Sequence, residues 1–434
     1  MRMRFYNLRD IDTLPQLDKL SSDERFAMKV VANVLPFRAN NYVVDELIDW
    51  DAVPDDPMFR LVFYHWDMLS PRQFESVADA LRRELPAAEL RERVDRIRLE
   101  MNPHPSGQLT DNVPLLNEEP VPGVQHKYRE TALVFPAKGQ TCFSYCTFCF
   151  RWPQFVNMEG LKFSADSSRS FVDYLRGQPE VTDVLFTGGD PLIMNAAALA
   201  GHIEPLLEPE FDHLRTIRIG SKVLSFWPYR FLSDRDADDL LRLFERVVAS
   251  GKHLALMGHF NHWQELGTAA VGDAVRRIHG TGAQIRVQAP LLRHINDSAD
   301  VWARLWQEEV EQGMIPYYMF VERDTGPCAY FEVPLAEAWE IFRDAYSRVS
   351  GLARTVRGPV MSAKPGKVQV DGVTRIAGER VMQLSFLQGR NPDWVRRPFF
   401  AKFDAGATWL NDLEPAFGES RFFYEDEAGA RRAA

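Results

Sequence analysis

The chain has 434 residues, of which 45% are hydrophobic and 26% charged, an ordinary balance for a globular protein that can bury a large core. No apolar run approaches the roughly 18 to 20 residues of a membrane span, and the basic start Met1-Arg2-Met3-Arg4-Phe5 lacks the apolar stretch of a signal peptide, so a cytoplasmic location is expected. A net charge of −10 with no long basic run argues against a nucleic-acid partner and for a small-molecule substrate.

Taken in chain order, residues 1–110 read as a helical amino-terminal domain, clearest from Arg72 to Met101, where Phe74, Val77, Leu81, Leu85, Leu90, Val94 and Ile97 recur at helical spacing. Pro103, Pro105, Pro114, Pro120 and Pro122 then mark an extended connection that reaches residue 127. Over residues 128–345 six short apolar runs read as strands: Ala132 to Phe135, Val184 to Phe186, Ile217 to Ile219, Leu254 to Met257, Ile285 to Val287 and Tyr317 to Val321. The stretches between them, such as Ser170 to Leu175, Asp236 to Ala249, Ala274 to His279 and Asp300 to Glu311, read as helices. The repeated strand-helix unit predicts an α/β fold with a parallel sheet, and six units are too few to close an eight-stranded barrel, so a partial (β/α)6 barrel is expected. Residues 346–434 read as a small irregular region, with a loop, a short strand and a turn over Lys364–Gly372 and a frayed, charged tail from Glu425.

Three of the four cysteines, Cys142, Cys146 and Cys149, lie in one Cys-x3-Cys-x2-Cys run after the first predicted strand, where parallel α/β folds gather their chemistry. Three thiolates leave one iron of a [4Fe-4S] cluster open to a small molecule, which is the pattern of a radical S-adenosylmethionine (SAM) signature. Structural zinc takes four ligands, commonly as two separated pairs, and Cys328 stands alone. Disulfides fit no better, since three cysteines crowded into eight positions have no plausible partners.

Beyond the triplet, ordered blocks over roughly residues 118 to 370 resemble lysine 2,3-aminomutase and its radical SAM relatives. They are Val121-Pro122-Gly123, His126-Lys127-Tyr128, Thr187-Gly188-Gly189-Asp190, Ile217-Arg218-Ile219-Gly220-Ser221, His259-Phe260-Asn261-His262, Gln288 with Asn296, and Pro316-Tyr317-Tyr318. The resemblance implies a cluster, SAM and pyridoxal phosphate, and movement of an amino group from C2 to C3 of an amino acid. It implies that Phe148 sets a ring against adenine, with a core aromatic as the alternative. It implies that Gly188 and Gly189 let the chain approach the cofactor, and that Asp190 meets an ammonium. His259 and Gln288 resemble positions near the SAM carboxylate, and Ser221, Tyr128 and Lys127 join the cofactor-binding set. Lys367 is the implied pyridoxal phosphate lysine, with Lys364 as a competitor, and Arg151 the implied holder of the substrate carboxylate.

The chain also departs from the family pattern. Arg323 and Val360 stand where lysine-specific members carry aspartates, so lysine is an unlikely substrate and a carboxylate-bearing side chain is favoured. Thr131 replaces an arginine near the pyridoxal phosphate, and no cysteine follows Cys328 to build a subunit-joining zinc site, which leaves a homo-oligomer open. The expected partners are an amino acid and an external electron donor such as flavodoxin or ferredoxin. The alternatives are a related radical SAM enzyme doing elimination, epimerisation or other C–H functionalisation without pyridoxal phosphate, and a non-catalytic iron-sulfur module.

Overall fold

The computed structural model describes residues 1–158 and 160–425; the tail expected to fray therefore lies almost wholly outside the described residues. Its centre is an eleven-stranded sheet in which every strand lies beside its neighbour in sequence. In chain order the strands are β1 (Val124–Tyr128), β2 (Thr131–Val134), β3 (Asp183–Phe186), β4 (Thr216–Ser221), β5 (His253–His259), β6 (Gln284–Leu291), β7 (Ile315–Val321), β8 (Arg357–Ser362), β9 (Gly366–Ile376), β10 (Glu379–Gly389) and β11 (Pro398–Lys402). Strands β2 to β8 are parallel, whereas β1 and β9 to β11 pair antiparallel at the two ends.

Each of the six strands β2 to β7 is followed by a covering helix: Arg169–Arg176, Ala196–Ile203, Ala237–Ala249, Ala269–Gly280, Ala299–Glu311 and Leu335–Ser347. This is the partial (β/α)6 barrel expected. The period of two along each strand builds the barrel wall. Val184, Phe186, Ile217 and Ile219 are fully buried, while the intervening Leu185, Thr187 and Arg218 line a central cavity.

The amino-terminal part is helical, but the stretch read as one periodic run is two helices, Pro71–Arg82 and Ala87–Glu100, separated at Glu84, which has φ 50°, and Pro86. A single hydrophobic core runs from Tyr6 to Val356, so these helices share their packing with the barrel. Among the described residues no helix is long and apolar enough to cross a membrane.

The carboxyl-terminal region corrects the expectation of irregularity. Strands β9 and β10, of 11 residues each, form a long hairpin closed by Ala377 and Gly378, both at positive φ, and a second core gathers around Met382, Phe386 and Phe399. Asp371-Gly372, read as a turn, is instead a point where the β9–β10 register shifts, a bulge in a continuing strand.

Candidate active site

The loop after β2 carries Cys142, Cys146 and Cys149 as free, half-buried thiols. Burial raises all three pKa values, that of Cys149 to about 12 even though the neighbouring Arg151 opposes the shift. A metal that binds here must therefore displace protons, as iron does when it binds thiolate. Among the described residues no three His, Cys, Asp or Glu side chains gather closely enough to hold a single ion. Three thiols spread along one loop suit separate irons of a multi-iron cluster, and Cys328 sits apart on the short helix Cys328–Phe331.

Two parts of the chain hold this loop in shape. From the amino-terminal layer, Arg38 donates to Thr141 Oγ1 (2.6 Å) and the Cys142 carbonyl (3.2 Å), and buried Asn40 donates to the carbonyls of Phe143 (3.1 Å) and Phe226 (2.9 Å). The backbone N–H groups of Tyr145 and Thr147 donate to the carbonyls of Arg38 and Leu61. Asn40 also accepts from the Val43 N–H at 3.0 Å, so Asn40→Ala leaves three buried backbone groups unpaired. A loss of roughly 2 to 4 kcal/mol in urea unfolding is expected, with iron retention falling in parallel.

From the barrel side, the turn after β3 presses on the same loop, which gives Gly188, Gly189 and Asp190 a structural part beside the roles expected for them. A Cβ on Gly188, at φ 145°, would fall 2.0 Å from Gln140 Nε2, and one on Gly189 would fall 2.4 Å from the Thr141 nitrogen. The glycines thus admit the cysteine loop itself. The Asp190 carboxylate accepts from Ser221 Oγ (2.7 and 2.8 Å) and from the N–H groups of Leu192 and Lys222 (3.0 Å each). Asp190 and Ser221 are both buried and hold each other, tying β3 to β4. Lys222 Nζ, bonded to Glu265, Asn261 Oδ1 (2.9 Å) and the His259 carbonyl (3.2 Å), extends this tie to β5.

Inside the barrel a cavity of about 260 Å³ collects most of the other expected residues. At its upper wall the Phe148 ring meets His259 (5.7 Å, edge-on) and Phe331 (6.1 Å), and Gln288 stands nearby on β6. Burial and Lys222 hold the His259 pKa well below its ordinary value, so the imidazole is neutral, and its Nε2 is buried without a partner.

Arg151 and Arg323 flank the Phe150 ring at 5.1 and 4.8 Å. Arg151 is buried against Phe135 as well (4.3 Å), yet its Nε and Nη1 have no hydrogen-bond partner, nor has Arg323 Nε. Burial and Arg323 together lower the Arg151 pKa to about 9. Burial pushes the pKa of the nearby Glu322 up, against the opposing pull of Arg323. Two buried cations with unpaired N–H groups make this part of the cavity a receptor for anions.

Lys367, on β9, faces the same cavity and donates to Gln388 Oε1 at 3.0 Å, with its ammonium 4.8 Å from the Tyr318 ring centroid and 5.7 Å from that of Tyr128. Burial, then Arg218 and Arg357, lower its pKa to about 7. Lys364 is exposed and paired with Asp111 at 2.8 Å, which removes it as a competitor. Lys127 donates to the Ala363 carbonyl, and burial with Arg390, Arg323 and Lys367 lowers its pKa to about 6. Tyr128 is buried beside both lysines, which lie within reach of its ring.

Arg218, Tyr318, Gln388 and Glu322 belong to this cavity and were not singled out from the sequence. Arg218 had a signal: a charged residue between two isoleucines of a barrel strand must face the lumen.

A putative L-lysine 2,3-aminomutase of Aquifex aeolicus (strain VF5) is 33% identical to this chain over 416 residues, covering 95% of this chain and 96% of that one. The chain belongs to the lysine 2,3-aminomutase family of radical SAM enzymes. Two further relatives align with it over shorter stretches. The L-lysine 2,3-aminomutase of Escherichia coli (strain K12) is 30% identical over 258 residues, 58% of this chain and 69% of that one. That of Bacillus subtilis (strain 168) is 24% identical over 390 residues, 90% and 70% of the two chains. No family model matches the chain. Among solved structures, SuiB of Streptococcus suis superposes with a TM-score of 0.38 at 12% identity over 66% of this chain and 60% of that one. The radical SAM methyltransferase TsrM of Kitasatospora setae gives a TM-score of 0.31 at 13% identity, over 44% and 36%.

Proposed function

We propose that the chain is an amino acid 2,3-aminomutase that uses a [4Fe-4S] cluster, SAM and pyridoxal phosphate, and that its substrate carries a second carboxylate. When bound, the cluster with SAM supplies a 5′-deoxyadenosyl radical, and pyridoxal phosphate supplies a π system that accepts an unpaired electron. The chain's own residues divide the remaining work. Cys142, Cys146 and Cys149 hold three irons and leave the fourth free. Phe148, Gln288 and the neutral His259 border the space beneath them, where adenosine and the SAM carboxylate would lie.

Lys367 carries the reading. An ordinary lysine is charged near neutrality and cannot attack a carbonyl, whereas one with a pKa of about 7 is half neutral there. Gln388 accepts one N–H and holds the amine in the cavity. A neutral amine held in this position is the group that would carry the cofactor covalently and keep it beside the substrate.

Arg151 is assigned to the substrate α-carboxylate and Arg323 to the side-chain carboxylate. Both guanidinium groups have unpaired N–H donors around the Phe150 ring. A lysine side chain would place an ammonium against Arg323, which disfavours it. Anaerobic incubation of the reconstituted enzyme with a pool of amino acids tests the assignment. Deoxyadenosine release and mass-neutral isomerisation should follow glutamate or a similar acidic amino acid. Turnover of lysine in preference to these would overturn it.

Arg151→Met is expected to raise KM roughly 100-fold, the cost of leaving a buried carboxylate without its charge partner. SAM binding, measured separately, should stay near wild type. Equal losses in both would mean that Arg151 supports the cysteine loop instead.

A further inference from the structure

The barrel is also open at its amino-terminal end. A second cavity, about 580 Å³, is bounded there by Asp183, Thr216 and His253 at the starts of β3 to β5 and by Arg286, Tyr317 and Arg357. Thr131, Arg218, Tyr317, Tyr318 and Gln388 line both cavities. The two spaces therefore share a wall beside Lys367, whose amine is bonded to Gln388 and lies 4.8 Å from the Tyr318 ring centroid.

The charges around this junction are unequal in what they can offer. Arg218 is neutralised by a two-point pair with Asp183, which also accepts from Thr131 Oγ1. Lys127, above the junction, is committed to the Ala363 carbonyl and loses its proton readily among the neighbouring cations. Arg357, at the first position of β8, differs from both. Its guanidinium lies 4.3 Å from the ring centroids of both Tyr317 and Tyr318, and no carboxylate among the described residues pairs with it. Arg286 lies 5.6 Å from the Tyr317 centroid, farther out at the same mouth, with only Gln284 as a partner at 3.3 Å. Aromatic stacking fixes a guanidinium plane while leaving its N–H edge free for a phosphate.

We infer that the phosphate of the pyridoxal cofactor points toward the amino-terminal mouth of the barrel and is gripped by Arg357, with Arg286 drawing the anion in from solvent. This rests on the assignment of Lys367 as the cofactor lysine. It gives the cofactor an entrance of its own, on the opposite side from the cysteine loop, and lets substrate exchange above while the phosphate stays anchored below. The role of phosphate cation thereby passes from the segment around Lys127 to β8.

Titration of cluster-loaded protein with pyridoxal phosphate and with pyridoxal, which lacks the phosphate, tests the inference through the absorbance of the lysine-bound aldehyde. The ratio of the two Kd values isolates the phosphate contribution. Arg357→Met should weaken pyridoxal phosphate about 10- to 100-fold more than it weakens pyridoxal, the range of a charge-assisted hydrogen bond, any loss common to both reflecting the influence of Arg357 on Lys367. Inorganic phosphate should compete with pyridoxal phosphate in the wild type and lose that effect in the variant. Arg357→Lys, which keeps the charge and the fold, should recover part of the ratio. An unchanged ratio in Arg357→Met, or a larger loss in Lys127→Met, overturns the assignment while leaving Lys367 in place. Uptake of neither aldehyde by the wild type would instead overturn the cofactor reading itself, and this inference with it.

Discussion

Cys146→Ala is expected to hold almost no iron after anaerobic reconstitution and to release deoxyadenosine at least about a thousandfold more slowly than wild type. The size of the effect follows from the loop. Three thiols buried enough to resist ionisation are held by Arg38, Asn40 and the turn at Gly188 to Asp190, whereas Cys328 belongs to another element, the helix Cys328–Phe331. The same loss is expected for Cys142→Ala and Cys149→Ala. Cys328→Ala should keep its iron, because that thiol lies on a separate helix. Iron content and deoxyadenosine release, measured side by side, check both statements. Full iron in Cys146→Ala would mean that the cluster takes its ligands elsewhere.

Lys367→Ala should abolish uptake of pyridoxal phosphate and slow isomerisation at least about a thousandfold, since no other lysine in the cavity can supply the amine with the same freedom. Lys127 is tied to a carbonyl, and Lys364 is on the surface. SAM cleavage uncoupled from isomerisation should persist in the variant, which separates a lost cofactor from a lost fold. The pH dependence has a definite sign. With its pKa lowered to about 7, Lys367 is increasingly neutral as pH rises through that value. The rate of aldehyde uptake should therefore climb between about pH 6 and 8 and then level off, several units below the range of an ordinary lysine. A plateau reached only near pH 10 would contradict the buried, cation-flanked environment. Gln388→Leu, which removes the acceptor, should leave uptake possible but slower.

Legibility in the sequence tracked how local the physical cause was. The six barrel strands were visible because each is a short apolar run bounded by amphipathic stretches, a pattern carried within a few residues. Lys367 and Lys364 could not be separated by spacing. Their difference lies in strand pairing: Lys367 pairs with Ser362 and Gln388 inside the sheet, while Lys364 falls in the loop before β9. Asp371-Gly372 carried a turn's composition, yet the hairpin absorbed it as a bulge because both flanking segments bury apolar side chains. The clamp on the cysteine loop was invisible, since Arg38 and Thr141 are 103 positions apart and nothing near either announces the other. The partners of Asp190 were hidden for a similar reason. Its chemistry invited an ammonium, but its partners, Ser221 and the Lys222 N–H, come from the next strand.

The cavity itself adds what motifs alone do not carry. Its cations are not evenly distributed: Arg151 and Arg323 border Phe150, while Arg357 waits at the far mouth. Separate anionic groups can therefore be held at once, a carboxylate-bearing substrate above Lys367 and a phosphate below it.

The account depends most on an iron that the protein leaves without a thiolate. Mössbauer spectroscopy of the protein rebuilt with iron-57 tests this directly. With three cysteine ligands, one iron of the cluster should change its isomer shift when SAM is added, while the other three stay as they were. Four equivalent irons, unaltered by SAM, would contradict it.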